Sequence, residues 1–93
     1  MTRKTRRALP EYSGTLYGLQ QWYRIMVQNM GWLVIADAKG RHYKITNYKR
    51  SLQNLLASIE HVMSEYKDPD RIHDLRVLRM NVRALIDHVN RVF

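Results

Sequence analysis

Apolar residues recur along this chain in steps of three and four, in three separate series. Leu16, Leu19, Tyr23, Met26, Met30 and Leu33 form the first. Ile45, Tyr48, Leu52, Leu55, Ile59, Val62 and Tyr66 form the second, and Leu75, Leu78, Val82, Leu85, Val89 and Val92 the third. With 3.6 residues per turn, this spacing gathers each series on one face of an α-helix and leaves polar residues on the other. Three such faces in a short chain can leave water only by packing on one another or on another chain.

The punctuation between the series fits helices. Ser13 or Thr15 can cap the first, which is predicted to run to about Lys39, with Gly40 as a left-handed stop. Gly31 lies inside that span and weakens it, which leaves room for a bend there. The second helix is predicted from Lys44 or Asn47 to Tyr66. Asp68-Pro69-Asp70 then ends one helix and starts the next, because proline suits a first turn and Asp68 can accept its free N–H groups. The third helix is predicted to reach about Arg91. A competing reading makes residues 32–45 a β-hairpin, with Val34, Ile35 and Tyr43 in strands and Lys39-Gly40 at the turn. The helix is favoured because the heptad continues through Met30 and Leu33. Short connections make neighbours antiparallel. The expected fold is therefore all-α: an antiparallel three-helix bundle over residues 14–93, behind a flexible basic N-terminal tail, residues 1–13.

Composition sharpens this picture. The chain has 93 residues, room for one domain, and no cysteine, so neither a disulfide nor a thiolate metal site is available. Its longest uninterrupted apolar run, residues 32–36, is far too short to span a bilayer, and the basic start lacks the apolar stretch of a secretory signal. An intracellular protein is expected, with no membrane partner.

Charge changes the picture more. Sixteen Lys and Arg oppose eight Asp and Glu, a formal net charge of +8. Such an excess favours phosphate polyanions or an acidic protein. Arg3, Lys4, Arg6 and Arg7 in the tail, with Arg76, Arg79 and Arg83 on one side of the third helix, are the candidate nucleic-acid contacts. Nothing resembles a base-reading motif, so contact without sequence preference is expected. The first predicted helix also carries more apolar surface than one seam needs. Trp22, Ile25, Asn29, Trp32 and Ala36, with Ile35 beside them, form a second stripe open to two readings. One is a wide helix set deep between the other two, with Trp32 over the end of the bundle. The other is a partner interface at Trp22, Ile25, Trp32 and Ile35, with homo-oligomerisation expected. Val77 and Met80 on the third helix add to that reading.

Catalytic chemistry finds little support. The glycines are isolated, and no phosphate loop, nucleophile elbow or Cys–His pair is present. His61, Glu65 and His73 lie close in sequence, but no HExxH or ExxH pattern accompanies them. No catalytic residue, cofactor or metal is assigned.

The strings GLQQWYRIM (18–26), MGWLV (30–34), AKG (38–40), YKRSL (48–52), IEHVM (59–63) and HDLRVL (73–78) resemble short proteins of large nucleocytoplasmic DNA viruses (giant viruses). The resemblance covers residues 16–89 and brings no assigned activity and no functional residue. It implies a viral origin and expression inside an infected cell, in the cytoplasm or nucleus, and leaves packaging in the virion open. Together these observations favour a non-catalytic structural or accessory protein that self-associates and contacts nucleic acid non-specifically. The alternative is a protein–protein adaptor whose basic surface docks on an acidic host or virion protein.

Overall fold

The computed structural model describes residues 15–93, so the basic arm, residues 1–13, with Arg3, Lys4, Arg6 and Arg7, lies outside the described residues. The described residues are all-helical and contain no strand: α1 spans Leu16–Asn29, α2 Gly31–Ala38, α3 His42–Glu65 and α4 Pro69–Val92. The hairpin reading of residues 32–45 is thereby overturned, since those residues form a helix, a turn and the start of another helix.

Two of the helices begin on a side-chain cap. The Thr15 hydroxyl accepts the Gly18 N–H at 3.0 Å. Asp68 accepts the Asp70 N–H at 3.0 Å, with Pro69 in the first turn of α4, where its missing N–H costs nothing. Arg71 reinforces that corner. Its guanidinium carbon lies 5.8 Å from the centroid of the Tyr66 ring, and its Nε is 3.8 Å from an Asp68 carboxylate oxygen. The α3–α4 connection is therefore short and tied at both ends.

The single long first helix expected from the heptad is two helices, so the fold has four rather than three. The break coincides with a tertiary hydrogen bond at one carbonyl. In an unbroken α-helix the Met30 N–H would bond to the Met26 carbonyl, four residues back. That carbonyl instead accepts the hydroxyl of Tyr48, reaching across from α3. The Met30 N–H turns to Val27, three residues back, at 3.2 Å, and the Leu33 N–H to Met30 at 3.0 Å. A side chain inserted into the helical ladder is a recognised source of a break. Gly31 follows directly and adds little resistance. Burial, and after it the neighbouring Tyr23, pushes the Tyr48 phenol up from 10.0 to about 12.

The α3 helix is central, packing on all three others; α1 also packs on α4, whereas α2 touches only α1 and α3. The core follows the heptads closely. Leu19, Leu52, Leu55, Ile59, Leu75, Val82 and Val89 are almost completely buried. Leu16, Tyr23, Met30, Tyr66 and Leu85 are half-buried at its margin. Val92 departs from the pattern and is 57% exposed, because α4 ends there with one residue to follow. Among the described residues no charged side chain is buried, so apolar burial is what holds the helices together.

Candidate nucleic-acid interface

The turn between α2 and α3 runs through Gly40, and local hydrogen bonding explains its conformation. The Gly40 N–H bonds to the Asp37 carbonyl at 3.1 Å and the Arg41 N–H to the Ala36 carbonyl at 2.8 Å. This pair of bonds closes a helix C-terminus of the Schellman type, which needs a left-handed residue at the turn. Gly40 supplies it with φ of +70°, a conformation costly for any residue with a β-carbon. The chain then enters α3 at His42, and Arg41, at the cap position, offers no side-chain hydrogen bond to the first turn.

This corner concentrates positive charge. Between Asp37 and Glu60 the chain holds Lys39, Arg41, Lys44, Lys49 and Arg50 and no carboxylate. Among the described residues none of these five joins an ion pair. Arg50 does donate to the Asn47 side chain at 3.3 Å. The positive end of the α3 dipole points the same way. Lys39, Arg41 and Lys44 border a cleft of about 310 Å³ whose apolar wall includes Trp32, Leu33, Ile35 and Ala36. No carboxylate lines it.

The residues singled out in the sequence distribute differently from expectation. Arg76, Arg79 and Arg83 do share one helical row of α4, but Arg83 is engaged with Glu60 of α3 at 3.3 Å, and Arg79 is half-buried. Asp70, Asp74 and Asp87 lie in the same helix, so its net charge is diluted. The apolar stripe divides as well. Trp22, read as part of a partner interface, is a core residue with 7% exposure, in one cluster with Leu19 and Met26. A tryptophan one turn from two seam residues, on a helix that packs on two long neighbours, is enclosed by the fold itself. Ile25, Trp32 and Ile35 do face outward, Trp32 at 67% exposure. Sequence reasoning missed Lys39, Arg41 and Lys44. The signal that could have found them is the run without acids after Asp37, which competes poorly for notice with the arginine-rich tail and α4.

Two other features complete the surface. A cleft of about 510 Å³ lies between α1 and α4, where Arg24 and Asp74 share a rim with Val27 and Val77. His61 and Glu65 form an exposed pair at 3.4 Å, one turn apart. His73 does not join them, and among the described residues no group of three or more His, Cys, Asp or Glu could hold a metal ion. No helix among the described residues is long and apolar enough to cross a membrane.

Comparison with family models, curated proteins and solved structures gives no match to this chain.

Proposed function

We propose that this protein is a non-catalytic accessory protein that contacts nucleic acid without sequence preference and self-associates. We take α1 and α2 as one bent rod in an antiparallel bundle of three, with residues 1–13 as a basic arm. The observation that carries the nucleic-acid reading is the acid-free corner, where Lys39, Arg41 and Lys44 stand around one turn with no ion-pair partner among the described residues. Unpaired cations close together gain most from a polyanion, because each phosphate neutralised releases condensed counterions. Arg76 and Arg79 on α4, and Arg3, Lys4, Arg6 and Arg7 of the arm, offer further phosphate contacts.

Self-association rests on exposed apolar side chains that the fold leaves uncovered. Ile25 and Val27 on α1, and Val77 and Met80 on α4, are the candidates. The resemblance to giant-virus proteins supports a role inside an infected cell.

The test is a gel shift of the full chain against two duplexes of unrelated sequence, with solution mass measured by light scattering. The proposal expects similar shifts of both duplexes, weakening as salt is raised, and a mass above that of one chain. No shift at physiological salt would overturn the nucleic-acid reading in favour of an acidic protein partner. A monomeric mass at all concentrations would overturn the self-association.

A further inference from the structure

We infer that the cleft between α2 and α3 binds single-stranded nucleic acid, with one base stacked on the Trp32 indole and the adjoining phosphates held by Lys39, Arg41 and Lys44. This deepens the proposed nucleic-acid contact and rests on it. Three observations lead here. The first is chemical pairing within one concavity: an indole, three aliphatic side chains and three cations line it, with no carboxylate. A ligand that satisfies both must carry a flat apolar group beside negative charge. A nucleotide in a single strand has that form, because its base is free to leave the stack.

The second observation is size. At about 310 Å³ the cleft sits at the lower end of small-ligand sites and accommodates one base rather than a helix face. A duplex keeps its bases inside and would meet only the cations, leaving Trp32 with nothing to stack on. The third is the exposure of the indole. Of the two tryptophans, Trp22 is enclosed by the core, whereas Trp32 is 67% exposed. That exposure has no structural return within the described fold.

A second copy of this chain is a poorer occupant. Two-fold pairing through the corner would bring Lys39, Arg41 and Lys44 against their own counterparts, and like charges at close range oppose such a contact. An anionic membrane would also attract the cations, and tryptophan suits an interface. A membrane surface presents no single flat group to fill a concave cleft, however, so the single strand is favoured.

The experiment titrates the full chain with a single-stranded oligothymidine of about twelve nucleotides, within the range one small domain covers. A duplex of similar length and vesicles of phosphatidylserine and phosphatidylcholine are titrated in parallel. Tryptophan emission and fluorescence anisotropy are read. The oligothymidine is expected to quench the emission. Trp32→Ala should abolish the quenching and weaken single-strand affinity about tenfold, the scale of one base stack, with duplex affinity unchanged. Trp32→Phe should restore most of the affinity. Helical circular dichroism of both variants verifies folding, which an exposed residue should not disturb. If Trp32→Ala binds the oligothymidine as tightly as the natural chain while both nucleic acids still bind, the inference fails and the proposed function stands. If neither nucleic acid binds, both fail. If the vesicles bind, blue-shift and enhance the emission and the oligothymidine has no effect, the cleft is a lipid contact and the inference is overturned.

Discussion

Tyr48→Phe removes one oxygen atom, and its consequences can be worked through in detail. The hydroxyl of Tyr48 donates to the Met26 carbonyl, the acceptor that Met30 would use in a continuous helix. Without it, a buried carbonyl is left without that partner. A typical hydrogen bond contributes a net ~1 kcal/mol, and a buried acceptor left unpaired costs about 1–3 kcal/mol. The Met30 N–H can recover part of this, because it bonds to Val27 only three residues back and can return to Met26. The net cost is expected to be about 1–2 kcal/mol, which for a domain of this size lowers Tm by roughly 5–15 °C.

The same substitution has a pH signature. The phenol is pushed up from 10.0 to about 12 by burial and by Tyr23, so the fold favours its neutral form. A folded pKa above the unfolded one means a contribution fully present below pH 10 and lost as pH rises through 12. Urea unfolding followed by circular dichroism, at about pH 8 and at steps above pH 10, measures the gap between the natural chain and Tyr48→Phe. The two chains differ in no other ionisable group, so the gap reports on Tyr48. The gap should narrow across that window. Equal stability of the two proteins at the lower pH, or a gap that stays constant to pH 12, would refute the role given to this hydroxyl.

Other perturbations follow from single observations. Leu55 is fully buried, so Leu55→Ala should cost about 2–5 kcal/mol in a thermal or urea melt. Gly31 has open space where a β-carbon would stand and no positive φ, so Gly31→Ala should stabilise by about 0.4–1 kcal/mol. Gly40→Ala has equal space but a φ of +70°, and should destabilise by about 1–2 kcal/mol in the same melt. Arg83 and Glu60 meet on an exposed surface, so Arg83→Gln should change stability by less than about 1 kcal/mol.

Most of the helical content was legible because heptad spacing, caps and the Gly40 stop all agree along the chain. The second long helix starts two or more residues earlier than its seam predicts, since His42 and Tyr43 lie ahead of the first seam residue. The break at Met30 was legible only as the weak point at Gly31. The Tyr48 hydroxyl on the Met26 carbonyl at the same place comes from a residue distant in sequence, and periodicity carries no record of a tertiary hydrogen bond. Trp22 was misplaced for a related reason. Its stripe looks surplus to a single seam, but α1 packs on both α3 and α4 and therefore buries a wider arc. The charged corner was hidden by composition, which registers how many cations a chain holds and not which of them lack nearby acids. Only the fold shows that Arg83 is engaged with Glu60 and that Lys39, Arg41 and Lys44 stand together around the Gly40 turn.

The most direct test of this account is the salt dependence of nucleic-acid binding by two triple variants. Neutralising Lys39, Arg41 and Lys44 to glutamine should reduce the slope of log affinity against log salt on single-stranded DNA by about 2, at ~0.7 for each phosphate no longer neutralised. Neutralising Arg76, Arg79 and Arg83 should reduce it by less. An unchanged slope in the first variant, or a larger reduction in the second, would contradict the assignment of the α2–α3 corner as the nucleic-acid contact.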